Sequence, residues 1–130
     1  AFLEPGTGPM LLEDNARRLR DGLFGQGVPA AAMDEHLSVL GTPAALEAAL
    51  AWYRANKGLA ADIGTISVPT LYIWGDADAT VGPEAAHGTG EFVGAAFAME
   101  VLPGVGHFVM DQAPARATDL LLAHLAKHPV

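Results

Sequence analysis

Two aspartates and one histidine stand where a hydrolytic proton relay needs them. Val68-Pro69-Thr70-Leu71-Tyr72-Ile73-Trp74-Gly75-Asp76-Ala77-Asp78 reads as a buried strand that runs out into an acid. Leu102-Pro103-Gly104-Val105-Gly106-His107-Phe108 reads as the end of a second strand, closing on a histidine. A carboxylate bonded to one imidazole nitrogen fixes the tautomer and steadies the imidazolium, and the other nitrogen is then free to act as a general base. Acid first and histidine second is the order of the last two members of a hydrolytic triad.

Asp78 is the preferred acid, because it stands further into the loop and reaches past the strand end. Asp76 follows the strand directly and competes with it; capping the turn is the other job open to Asp76. Either aspartate alone would read as a solvated turn residue, and His107 alone as a structural histidine between Gly106 and Phe108. Their succession at the ends of two consecutive strands reverses that reading, since ligands of open α/β sheets sit beyond the carboxyl ends of the strands. His36 and His87 fall in expected helices, and His124 and His128 at the end of the last one, where imidazolium complements the helix dipole. No spacing of histidine and acids implies a metal centre. Tyr53 is a third residue with chemistry in it. Its place on a stripe with Leu46 and Leu50 favours core packing, while its phenol could equally serve as a hydrogen-bond donor in a cavity.

The elements that must carry these residues divide near residue 60. Before it every expected element is helical. Residues 10–24 carry interleaved apolar and charged positions, including Arg17, Arg18 and Arg20, and predict an amphipathic helix stopped by Gly25. Residues 29–40 predict a second helix with Gly41 just past its end. Thr42-Pro43 opens a third, with Thr as N-cap and Pro in the first turn, running to about Asn56 with Gly58 beyond. Its stripe is Leu46, Ala49, Leu50 and Tyr53.

After residue 60 the period changes. Residues 70–74 form a short, almost wholly apolar run, as a strand covered on both faces requires. Pro83 starts a helix that Gly88 and Gly90 weaken. Residues 97–102 predict a second strand. Pro114 opens a final helix to about Lys127, with Leu121, Leu122 and Leu125 as its expected buried side. Strand, helix, strand, helix in this order predicts a right-handed parallel crossover. Two such strands leave backbone groups unpaired along their outer edges, so this half demands strands the chain does not supply.

Composition excludes several classes. A net charge of −8 argues against nucleic acid and against anionic membrane surfaces. No apolar run approaches the roughly 18–20 residues that span a bilayer, and residues 1–6 lack the basic and apolar regions of a signal peptide. The chain has no cysteine, hence no disulfides and no thiol nucleophile, which fits a reducing compartment and an expected cytoplasmic location. An apolar fraction of 51% is enough to bury a core.

On residues 68–78, 102–108 and the helix opened by Pro114, the chain resembles the α/β-hydrolase fold family. Leu50-Ala51-Trp52-Tyr53-Arg54 is similar to the Trp-Tyr-Arg stretch in the cap of epoxide hydrolases. The resemblance implies a helical cap segment over residues 1–60 and the C-terminal part of an α/β-hydrolase core over residues 61–130. It implies that Asp78 is the triad acid, His107 the triad base, and Tyr53 a donor to the epoxide oxygen. An aspartate nucleophile would open an apolar epoxide to an alkyl-enzyme ester, and His107 would activate the water that releases a diol. No cofactor and no metal are implied.

The nucleophile elbow, of the form Gly-x-Asp-x-Gly or Gly-x-Ser-x-Gly, is absent from this sequence. The nucleophile is therefore expected from a missing N-terminal segment or from a partner, the N-terminal half of the enzyme as a second chain, and the expected substrate is small and apolar. Two alternatives stand beside this: an ester or lactone hydrolase with a serine nucleophile, and a non-catalytic half that only packs with a partner.

Overall fold

The computed structural model describes residues 4–57 and 64–129. The chain forms two compact units, Ala1–Ile63 and Gly64–Val130. The expected boundary at residue 60 and the stop expected at Gly58 lie outside the described residues.

The first unit is helical: α1 (Thr7–Gly25), α2 (Ala30–Leu40) and α3 (Pro43–Ala55). Its core is Ala16, Val28, Met33, Leu46 and Leu50, and α3 packs mainly on α1. The third helix starts as its sequence dictates: the Thr42 hydroxyl accepts from the Ala45 N–H at 3.2 Å, and Pro43 sits in the first turn, where no N–H is needed. Pro29 lies one residue outside α2 as its extended N-cap. Glu47 ties the unit together. Its carboxylate accepts from the Gly8 N–H at 2.7 Å and from Arg54 Nη2 at 3.0 Å. The Gly8 donor, against the opposing effect of burial and with help from the Arg54 charge, holds this carboxyl below its ordinary value.

Two expectations for this unit fail. The helix expected over residues 10–24 is broken: Glu13 is extended, and Asp14, Asn15 and Ala16 are left-handed, with φ of 52°, 57° and 56°. Asp and Asn are the non-glycine residues that visit this region most readily. Ala16 is held there while buried in the core. Arg20 secures the break, donating from Nε to the Asn15 carbonyl at 3.1 Å and from Nη1 to Asp34 at 2.8 Å. Periodicity cannot detect such a break, because apolar positions continue on both sides of it. The stripe of α3 is also shorter than expected. Leu46 and Leu50 are buried, but Ala49 is exposed and Tyr53 is 47% exposed, its ring edge-on to Trp52 at 5.2 Å. Tyr53 therefore does not fill the core.

The second unit holds β1 (Thr70–Gly75), α4 (Pro83–Gly88), a 3₁₀ turn (Thr89–Phe92), β2 (Phe97–Leu102), α5 (Val109–Gln112) and α6 (Pro114–Lys127). The strands pair in parallel from Thr70↔Phe97 to Gly75↔Leu102, so both end level with each other. The expected parallel pairing across α4 is thus present, and a further parallel bridge joins Ile66 to Val93. Among the described residues the sheet has these two strands. The core is small: Trp74, Ala86, Leu102 and Ala117. The burial expected of Leu121, Leu122 and Leu125 does not occur. All three are exposed, Leu122 at 59%, and of α6 Ala117 is the fully buried residue. A sheet of two strands is too narrow to cover the whole apolar side of a helix, and the leucines fall outside its shadow.

Candidate functional site

The level strand ends decide the site. Because Gly75 pairs with Leu102, the loops that follow leave the sheet side by side. They also dock on one another. The Asp76 N–H donates to the Leu102 carbonyl at 3.2 Å, and the Ala77 N–H to the Val105 carbonyl at 3.0 Å. The fit is tight at Gly75, where any Cβ would lie 2.0 Å from the Val105 oxygen. Glycine is required at this position by close approach, not by its dihedral angles.

Across this seam His107 Nδ1 stands 2.9 Å from Asp78 Oδ2. An ionised carboxylate only accepts, so the shared proton belongs to Nδ1 and the lone pair of the neutral ring to Nε2. The Asp78 side chain is 5% exposed and that of His107 38%. The acid is therefore enclosed, while the imidazole still reaches outside. The other Asp78 oxygen accepts from the N–H groups of Thr80 at 2.7 Å and Val81 at 2.9 Å. Burial opposes ionisation here, but the His107 hydrogen bond and the two backbone donors outweigh it and leave the Asp78 carboxyl below its ordinary value. The backbone loop that supplies these donors is itself pinned, since Trp74 Nε1 donates to the Val81 carbonyl at 3.1 Å. Tyr72 lies half-buried on β1, and burial, with the Asp78 charge, raises its phenol above the ordinary value. The His107 ring packs edge-on against Phe108 at 5.3 Å.

The structure thus brings Asp78 and His107 together. Asp76 is engaged elsewhere: its Oδ1 accepts from the Gly104 N–H at 2.6 Å, across the seam and not within its own turn. Tyr53 lies on α3 of the first unit. His87 stands edge-on to Trp74 at 5.9 Å, and His124 and His128 lie 4.8 Å apart at the end of α6. Sequence reasoning missed α5 and with it Gln112, whose Oε1 accepts from the Gly106 N–H at 2.9 Å. A helix as short as α5 offers no periodicity to read. Trp74 was legible only as an apolar strand residue; its indole donor needed coordinates. Among the described residues no group of three or more His, Cys, Asp or Glu side chains could hold a metal. Nor is any helix there long and apolar enough to cross a membrane.

No family profile and no curated protein sequence matches this chain. A solved structure does: a mutant epoxide hydrolase from Bacillus megaterium, in complex with its naphthyloxy-propane-diol product. The two are 19% identical and superpose with a TM-score of 0.67, over 96% of this chain and 49% of that one. The chain thus spans about half the length of the structure it matches. The fold is that of the C-terminal half of an α/β-hydrolase, as the strand-end motifs predict.

Proposed function

We propose that this chain supplies the acid–base half of an α/β-hydrolase that opens an apolar epoxide to a diol, with the nucleophile carried by the N-terminal half, whether as a preceding segment or as a partner chain. One observation carries the reading: an Asp78 carboxyl, its side chain 5% exposed, bonded at 2.9 Å to Nδ1 of a partly exposed His107. That arrangement orients an imidazole and stabilises its protonated form. In the proposed reaction a carboxylate on the other half attacks an epoxide carbon, the C–O bond breaks, and an alkyl-enzyme ester forms. His107 then takes a proton from water through Nε2, hydroxide attacks the ester carbonyl, the diol leaves, the carboxylate nucleophile is regenerated, and the proton on His107 returns through solvent to the phenolate left at Tyr53. Tyr53 would donate its phenolic proton to the oxygen released on ring opening. The likeness to a structure holding a diol product supports an epoxide over an ester, as does the Trp52-Tyr53-Arg54 stretch.

The test is diol formation by this chain purified together with the polypeptide that bears the nucleophile. His107→Gln is expected to lower turnover on the order of 10⁴-fold or more. Unchanged turnover would overturn the reading. Tyr53→Phe separates the substrate classes: a clear fall in kcat marks an epoxide whose oxygen needs that proton. Indifference to it, with a serine found at the elbow, marks an ester or lactone.

A further inference from the structure

We infer that Asp76 and Gln112 are positioning residues that hold His107 against Asp78, by fastening the backbone of the histidine loop on both sides of Val105. The inference rests on the proposed role of the Asp78–His107 pair. The loop from Pro103 to Phe108 has no regular structure to fix it. An irregular segment of that length loses on the order of 1–2 kcal/mol of backbone entropy per ordered residue, so its place must be enforced by specific bonds.

Three consecutive residues supply them. The Gly104 N–H donates to Asp76 Oδ1 at 2.6 Å, the Val105 carbonyl accepts from the Ala77 N–H at 3.0 Å, and the Gly106 N–H donates to Gln112 Oε1 at 2.9 Å. The next residue is His107. Two of these anchors come from residues immediately before Asp78, so acid and base loops are fastened to each other and not merely to a common scaffold. The third comes from α5, which begins two residues after the histidine. The carboxylate–amide bond is short, as a charged acceptor makes it. Gly104 has φ of +71°, which aims its N–H back across the seam in a conformation that side chains disfavour. Both side chains act on backbone amides of the loop, through which His107 is placed.

The experiment reads the Nδ1 proton of His107 by NMR on the full chain, where a hydrogen-bonded imidazole proton resonates far downfield and exchanges slowly with water. Asp76→Ala and Gln112→Ala are each expected to speed that exchange about tenfold, the effect of losing one hydrogen bond from the closed state. Asp76→Asn and Gln112→Glu keep an acceptor oxygen in place and are expected to return exchange to within about threefold of the parent. A purely structural role would lower the unfolding midpoint and leave this proton unmoved. Unchanged exchange in both alanine variants overturns the inference. Should Asp76→Ala not fold, Gln112→Ala and Asp76→Asn decide the matter. Asp78→Ala, which leaves no acceptor, separates the two levels: loss of the resonance there upholds the pair, whereas its survival sinks the proposed function together with the positioning argument.

Discussion

At Asp78 three donors converge on one carboxylate that is almost wholly enclosed. Enclosure alone would favour the neutral acid; the His107, Thr80 and Val81 donors reverse this and keep the folded carboxyl below its ordinary value. The consequence for stability has a definite sign. A carboxyl depressed in the folded chain stabilises it at every pH above the unfolded carboxyl value, and the contribution vanishes as pH falls through the depressed one. Wild type is therefore expected to lose stability over Asp78→Asn on acidification below about pH 4, while the difference between them stays level above it. Denaturant unfolding of both proteins across that range measures it, and a wild-type advantage that persists or grows as pH falls would refute the assignment. Gly75 makes a second demand at the same place. A methyl group there would meet the Val105 carbonyl at 2.0 Å, and since that oxygen is backbone held by Ala77, it cannot swing aside. Gly75→Ala is expected to cost more than about 2 kcal/mol and to part the two loops, visible as loss of the His107 Nδ1 proton signal.

Elements were legible in proportion to how local their causes are. The Thr42-Pro43 start of α3, the apolar run of β1 and the Pro114 opening of α6 are written in neighbouring residues, and all three elements appear, although β1, expected to be covered on both faces, is buried only at Trp74 and Gly75. The acid and histidine of the candidate site were legible because strand ends are marked by the Gly-Asp and Gly-His turns. What lay across space was not: the bond from Asp76 to Gly104 and the approach of Val105 to Gly75 depend on a seam between residues almost thirty apart, while the part of Gln112, six residues from Gly106, was hidden because α5 is too short to show a period. The break in α1 was hidden for another reason. Its apolar positions Leu11, Leu12, Leu19 and Leu23 satisfy a helical period whether or not the chain turns left-handed between them, and the Asp14-Asn15 pair was the one local sign. The break yields a test whose outcome inverts if the helix is continuous. At φ of +57°, Asn15→Gly is expected to stabilise the first unit by about 0.5–1 kcal/mol and Asn15→Val to destabilise it by about 1–2 kcal/mol. In an unbroken helix glycine would be the damaging substitution of the two. Thermal unfolding of both variants reads the order.

The molecule as a whole carries more apolar surface than its own contacts use. In the second unit the two strands are each paired along one edge among the described residues, and Leu121 and Leu125, one helical turn apart, are both exposed on α6 beside Leu122. Parallel strands are normally buried on both faces with neighbours on their edges, and exposed apolar stripes of this kind mark interaction surfaces. The proposed N-terminal half would bring the missing strands and cover this face. The substitution Leu121→Lys tests that with a contrast. On the chain alone the residue is solvated, so the change is expected to alter stability by no more than about 0.5 kcal/mol. Against a partner the lysine would have to be desolvated without an acceptor, which costs several kcal/mol. Co-purification with the nucleophile-bearing polypeptide is therefore expected to fall at least tenfold, and to fall further with Leu125→Lys added. Equal recovery of parent and double variant would mean that the partner docks elsewhere. A large loss of stability in the isolated chain would mean that Leu121 is already part of a core.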